Sequence, residues 1–147
     1  MTPPTFYSPA WMTAALLTAG VYNLAWGTWT VLFPTLSFAY SGMQQPDKPL
    51  LYPQLWQGIG MIVGVYGIAY ILAARDPVAH WEIVFVGFLG KVFGPIGLAF
   101  GVLTGESRPE ALATIVPNDL IWWVPFALIL RHAYRVHRTP RPAVGDP

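Results

Sequence analysis

The sequence predicts an all-α fold, a four-helix transmembrane bundle with both termini in the cytoplasm. Three observations carry that prediction. Of 147 residues, 54% are hydrophobic and only 10% are charged, whereas soluble domains carry about 25% charged residues. No charged residue precedes Asp47. Four segments approach the roughly 20 apolar residues that a helix needs to cross a bilayer.

The first span is read at about Ala10–Phe33, ended by Pro34. Thr35–Tyr40 reads as a short interfacial helix, and Gln44-Gln45-Pro46-Asp47-Lys48-Pro49 as a turn. The second span covers about Leu55–Ala74. Only Arg75-Asp76-Pro77 separates it from the third, at about Val78–Leu103, so the two are antiparallel neighbours. Asp76 is placed to cap the third span, with Pro77 at its first position. An outer loop, Thr104–Pro117, leads to the fourth span at about Asn118–Tyr134. Arg131 and Arg135 can extend that span by snorkelling. Residues 1–138 thus form one membrane domain, and the Pro- and Arg-rich tail 139–147 reads as disordered. No basic region precedes the first apolar run, so a cleaved signal peptide is not expected.

Orientation comes from the basic residues. Arg75, Arg131, Arg135, Arg138 and Arg141 fall on one side, Lys48 and Arg108 on the other. The positive-inside rule puts the arginine-rich side, with both termini, in the cytoplasm. Trp11, Trp56, Trp81, Trp122 and Trp123 lie near span ends, as an aromatic belt requires. The net charge of +1 gives no basic face for nucleic acid. The absence of cysteine excludes disulfides, cysteine-ligated iron–sulfur clusters and thiol-redox catalysis.

Lys91 is the leading candidate for a functional residue. It interrupts an otherwise uncharged run from Ile83 to Gly105. A cation at membrane depth costs about 2.5–3.5 kcal/mol on insertion scales and marks a site by default. Pro95 lacks an amide hydrogen and crowds the carbonyl four residues back, which is that of Lys91. Counting from span ends gives Tyr22, Asn23 and Tyr66 as its neighbours in depth, none of them an acid. Asp119 is the nearest carboxylate in sequence. Counted as the start of the fourth span, it lies about 10–15 Å from Lys91 in depth at 1.5 Å rise per residue. Direct pairing therefore needs a re-entrant or offset span, or water. The alternative to a functional cation is a structural one, satisfied by Tyr and Asn oxygens and kinked-backbone carbonyls.

Two glycine runs accompany it. The second span holds Gly60, Gly64 and Gly67; the third holds Gly87, Gly90, Gly94, Gly97 and Gly101. Small residues on one face let helices approach closely in lipid, so the two runs are expected to meet as a packing seam. Ile71 is expected to face lipid or loose packing. The competing reading of the glycines is a groove for a flat ligand such as a quinone, carotenoid or sterol. At 100° per residue, Lys91 sits about 80° from the centre of the glycine stripe, at its border. Asn118-Asp119 reads as a helix N-cap favoured by the macrodipole. The competing reading groups Asp119 with Gln57, Tyr52 and the nearby Trp122 around an opening at the outer surface. Pro125 frees the Ile121 carbonyl and kinks the fourth span. His80, His132 and His137 map to the cytoplasmic rim, too shallow to ligate a haem within the bundle, and no metal site is assigned.

Trp56-Gln57-Gly58-Ile59-Gly60, His80-Trp81-Glu82, Gly90-Lys91-Val92-Phe93-Gly94-Pro95 and Asn118-Asp119-Leu120-Ile121-Trp122-Trp123 resemble a family of small four-span bacterial membrane proteins. Some members carry an alkyl hydroperoxide reductase label, whose peroxidatic cysteine this chain lacks. The chain is also weakly similar to DoxX-like four-helix membrane proteins, some of which accompany quinone-linked sulfur oxidation. The resemblance implies an architecture and a bacterial inner-membrane location, and transfers no catalytic residue. The resulting expectation is a non-enzymatic multi-pass protein that binds a quinone, isoprenoid or lipid, or an accessory subunit of a redox or lipid-processing system. The alternatives are a small enzyme using Lys91 and Asp119 in proton transfer, and an oligomeric transporter. The expected partners are the bilayer and a second membrane protein or another copy of the chain.

Overall fold

The computed structural model describes residues 8–43 and 50–138. The turn read at 44–49 and the tail at 139–147 lie outside them. Among the described residues every regular element is helical. Helix α1 spans Ala10–Leu32, α2 Pro34–Tyr40, α3 Pro53–Ala73, α4 Trp81–Leu103 and α5 Ile121–Arg138. A 3-10 helix, Pro109–Thr114, and a π-helical turn, Val116–Leu120, precede α5. Three segments are long and apolar enough to cross a membrane: Pro53–Ala73, Trp81–Leu103 and the continuous run Pro109–Arg138. Helix α1 matches them in length, with 23 residues and no charge. Its threonines, glycines, aromatic rings and Asn23 make it less apolar.

Prolines set several boundaries. Pro34 and Pro53 stand at the first positions of α2 and α3, where a missing amide hydrogen costs nothing. Asp76 accepts from the amides of Val78 and Ala79 at 3.2 and 3.0 Å. It therefore caps the turn before α4 rather than α4 itself, which starts at Trp81. The outer loop is shorter than the sequence suggested. The Gly101 carbonyl accepts from Glu106 and Ser107 at 2.8 and 2.9 Å, and Gly105 adopts φ +74°. That reversal lets the chain re-enter a helical path at Pro109 instead of Asn118.

The glycine seam joins a different pair of helices from the one expected. Helix α1 packs along α3, and α4 packs on α5, while α3 and α4 touch much less. A Cβ on Gly27 would sit 2.5 Å from the Gly60 carbonyl oxygen and 2.9 Å from the Gly64 nitrogen. One on Gly67 would sit 2.7 Å from the Gly20 carbonyl oxygen. Gly60, Gly64 and Gly67 thus serve the α1–α3 contact. Ile71 also belongs to it, packing over Gly20. On α4, Gly87 fits under the Tyr70 ring, but a Cβ on Gly90 or Gly97 would meet nothing within 4 Å. The spacing signalled close approach correctly, yet it cannot say which helix approaches.

The core fills one half of the bundle. Met12, Leu16 and Ala19 from α1 meet Tyr70 and Ala73 from α3, Val84 from α4, and Trp122, Phe126 and Ile129 from α5. All are at most 6% exposed. Outward, α3 and α4 carry exposed apolar side chains along their whole length, including Met61, Val65, Ile68, Phe93, Ile96 and Phe100. A patch this extensive marks a lipid or partner surface. Two of the expected belt tryptophans are interior. Trp56 is buried and donates to Ser37 Oγ at 2.9 Å, and Trp122 is buried against Tyr22 and Phe126. Both rings have apolar bodies that find deeper burial than an interface offers.

Candidate functional site

Beyond Tyr70 the bundle interior is not filled. A cavity of about 370 Å³ lies between the α1–α3 pair and the α4–π-turn wall. Cavities that bind small molecules begin at about this size. Tyr22, Asn23 and Trp26 line it from α1, and Trp56, Tyr66 and Tyr70 from α3. Gly87, Gly90, Lys91 and Gly94 line it from α4, with Asn118 and Asp119 from the π turn. Ile59, Ile62, Gly90 and Gly94 are lining residues that are also exposed. The cavity therefore opens sideways, between α3 and α4.

Lys91 lies ten residues into α4, about 15 Å along the helix axis from Trp81. Its Nζ donates to the Asn118 main-chain oxygen at 2.7 Å and stands 3.8 Å from Asp119 Oδ1. The two side chains are 12% and 16% exposed. The depth difference inferred from the sequence does not exist, because Asn118 and Asp119 are not an N-cap at a surface. The chain turns back at Gly105 and descends first as a 3-10 helix, which rises about 2.0 Å per residue against 1.5 Å for an α-helix. By the π turn it has reached the level of Lys91. There Ile121 donates to the Val116 carbonyl, the i→i−5 bond of a π-helix. The wider turn accommodates Pro117. Single π turns recur at functional sites.

The carbonyl that Pro95 deprives of its usual donor is satisfied across the helix pair. Trp123 Nε1 donates to the Lys91 main-chain oxygen at 2.9 Å. Tyr22 donates its hydroxyl to Asn118 Oδ1 in a short hydrogen bond. Lys91 is thus held at backbone and side chain by α5 and the π turn, and the π turn is tied to α1.

Of the residues singled out in the sequence, Lys91, Asn23, Tyr66, Asn118 and Asp119 come together around the cavity. Gln57 does not join them. Its Nε2 donates to the Val31 carbonyl at 2.8 Å, and Tyr52 is exposed. Trp122 stands behind Tyr22, their rings 5.8 Å apart, and does not line the cavity. Gly87, Gly90 and Gly94 form part of the wall, whereas Gly60, Gly64, Gly67 and Gly97 do not. Sequence reasoning missed Trp26 and Trp56 as wall residues. For Trp26 a signal was present: it falls on the helix face that carries Asn23, at i+3.

Among the described residues three buried side-chain atoms lack a hydrogen-bond partner, Asn23 Oδ1, Thr30 Oγ1 and Trp122 Nε1, and of these residues only Asn23 belongs to the wall. Asn23 is 3% exposed, and its Oδ1 is buried without a hydrogen bond. Buried polar groups are nearly always paired, and leaving one unpaired costs about 1–3 kcal/mol. No family model, curated protein or solved structure matches the chain.

Proposed function

We propose that the protein is a four-span bacterial inner-membrane protein that holds a lipidic small molecule, of the quinone, isoprenoid or lipid class, in the Lys91 cavity. The observation that carries this reading is the cavity itself: apolar and aromatic over most of its wall, polar around Lys91 and Asp119, and open sideways between two helices with exposed apolar faces. A tailed ligand fits that opening, with its tail among the exposed apolar side chains and its head inside. The role is that of a binding protein or an accessory subunit of a redox or lipid-processing system, in keeping with the DoxX-like resemblance.

The four-span topology draws support from the core. The start of α1, the end of α3, the start of α4 and the first half of α5, well along the continuous run Pro109–Arg138, meet in one core. Four long helices that alternate in direction place the chain's first and last helical ends together. Arg75, Arg131, Arg135 and Arg138 lie at that end, which the positive-inside rule assigns to the cytoplasm.

Purification in mild detergent, followed by organic extraction and mass spectrometry, tests the binding reading. Wild type should carry a bound apolar compound that Gly90→Leu, which fills the cavity, does not. Identical extracts from the two proteins count against it. A second reading, proton transfer between Lys91 and Asp119 in a small enzyme, is favoured by their 3.8 Å approach inside the cavity. Chemical conversion of the extracted compound on incubation with wild type, lost in Asp119→Asn, would select that reading.

A further inference from the structure

We infer that Lys91 captures an apolar aldehyde as an imine, with Asp119 moving the proton and then balancing the charge. The inference rests on the lipidic-ligand reading above and names the reactive group of that ligand.

Three features carry it. The first is the kind of cation. A guanidinium suits a structural ion pair, whereas a lysine amine in an apolar cavity is a nucleophile toward carbonyls. Of lysine and arginine, the chain uses lysine only at Lys48 and Lys91. The second is charge. Lys91 and Asp119 both line the cavity, both keep some exposure, and stand 3.8 Å apart. An anion drawn to Lys91 would meet the Asp119 carboxylate, and a cation drawn to Asp119 would meet Lys91. The pair therefore suits a neutral ligand, and among neutral apolar molecules an aldehyde is the class that an amine binds covalently. The third is what awaits the product. An imine protonated on nitrogen carries one N–H and one positive charge. The Asn118 main-chain oxygen, already 2.7 Å from Nζ, can accept that N–H, and Asp119 faces the charge. The hydrocarbon chain has a slot beside it. Trp26, Trp56 and Tyr66 line one side, and on the other is the bare backbone of Gly90, where a Cβ would meet no atom within 4 Å.

The step balances. Asp119 takes a proton from the Lys91 ammonium, and the neutral amine adds to the aldehyde carbon, forming a C–N bond. A proton passes from the nitrogen to the former carbonyl oxygen. Asp119 then returns its proton to that hydroxyl, the C–O bond breaks and water leaves. The cationic imine remains beside the carboxylate.

The test uses the full-length protein in detergent, hexadecanal as the probe, cyanoborohydride to fix the imine and mass spectrometry to locate it. Lys48, the other lysine of the chain, is the internal control. Lys91 should be labelled about tenfold faster than Lys48, because the cavity holds the probe against the amine. In protein unfolded with SDS that preference should vanish. Hexadecanol, which has the same chain and cannot condense with an amine, should raise Tm and slow labelling of Lys91. Asp119→Asn should slow labelling of Lys91 about a hundredfold, the share of an acid–base group. The wild-type ratio of Lys91 to Lys48 stands as a readout even if the variant fails to fold. Labelling of Lys91 no faster than Lys48, a preference that survives SDS, or wild-type labelling in folded Asp119→Asn would overturn the imine. A rise in Tm with hexadecanol would then leave the lipidic ligand in place. No preference for Lys91 together with no response to hexadecanol would overturn the lipidic-ligand reading as well.

Discussion

Lys91 and Asp119 depend on each other, and the dependence has a sign. Breaking a buried ion pair from one side leaves an uncompensated charge, at about 3–5 kcal/mol. Here the pair is 3.8 Å apart and each side chain keeps some exposure, so a loss of about 2 kcal/mol is expected for Lys91→Met. Adding Asp119→Asn should recover most of it, because the carboxylate is then gone too. Unfolding in detergent with both variants checks this, and a double variant no more stable than the single one would sink the pairing. Trp123→Phe should cost about 1 kcal/mol by leaving the Lys91 carbonyl without its donor. Asn23→Leu should behave in the opposite way in ligand-free protein. Removing an unpaired buried acceptor should raise Tm. The sequence made Lys91 legible because charge is rare in such a run, and it made the freed carbonyl legible because Pro95 dictates it locally. The indole that satisfies that carbonyl comes from another helix, which no local rule can name.

At the scale of elements, glycine substitutions separate contact from space. Alanine is favoured over glycine inside a helix by about 1 kcal/mol. At Gly90 nothing opposes that gain, so Gly90→Ala should be neutral or mildly stabilising. At Gly27 the new Cβ would lie 2.5 Å from a backbone oxygen of α3, which cannot move aside alone. Overpacking of this kind costs about 1–3 kcal/mol, enough to outweigh propensity. Thermal unfolding should therefore rank Gly27→Ala well below wild type and Gly90→Ala at or above it; the reverse order would show that the seam lies elsewhere. Helix positions followed from apolar runs and prolines. The 3-10 and π turns before α5 did not, because their cause is tertiary: the tight reversal at Gly105 and the room that the glycines of α4 leave for Asp119, whose carboxylate lies 3.7 Å from a Cβ position on Gly94.

For the whole molecule, the proposed topology makes a simple forecast. Reporter fusions at Gly42 and Glu106 should read the periplasm, and a fusion after Arg138 the cytoplasm; a periplasmic C-terminus would overturn the orientation. The all-helical class was legible from composition alone. The division into two helix pairs was not, since hydropathy gives spans but no partners. That division leaves the sideways gap past Ile59, Ile62, Gly90 and Gly94, and the gap decides which concentration governs occupancy. A ligand that arrives through it never leaves the hydrocarbon phase, so its mole fraction among lipids, not its solubility in water, sets the equilibrium. A modest preference for the slot over the surrounding acyl chains is then enough to keep it filled. In detergent the same competition runs against micelles, and the apparent Kd should rise in proportion to the detergent added.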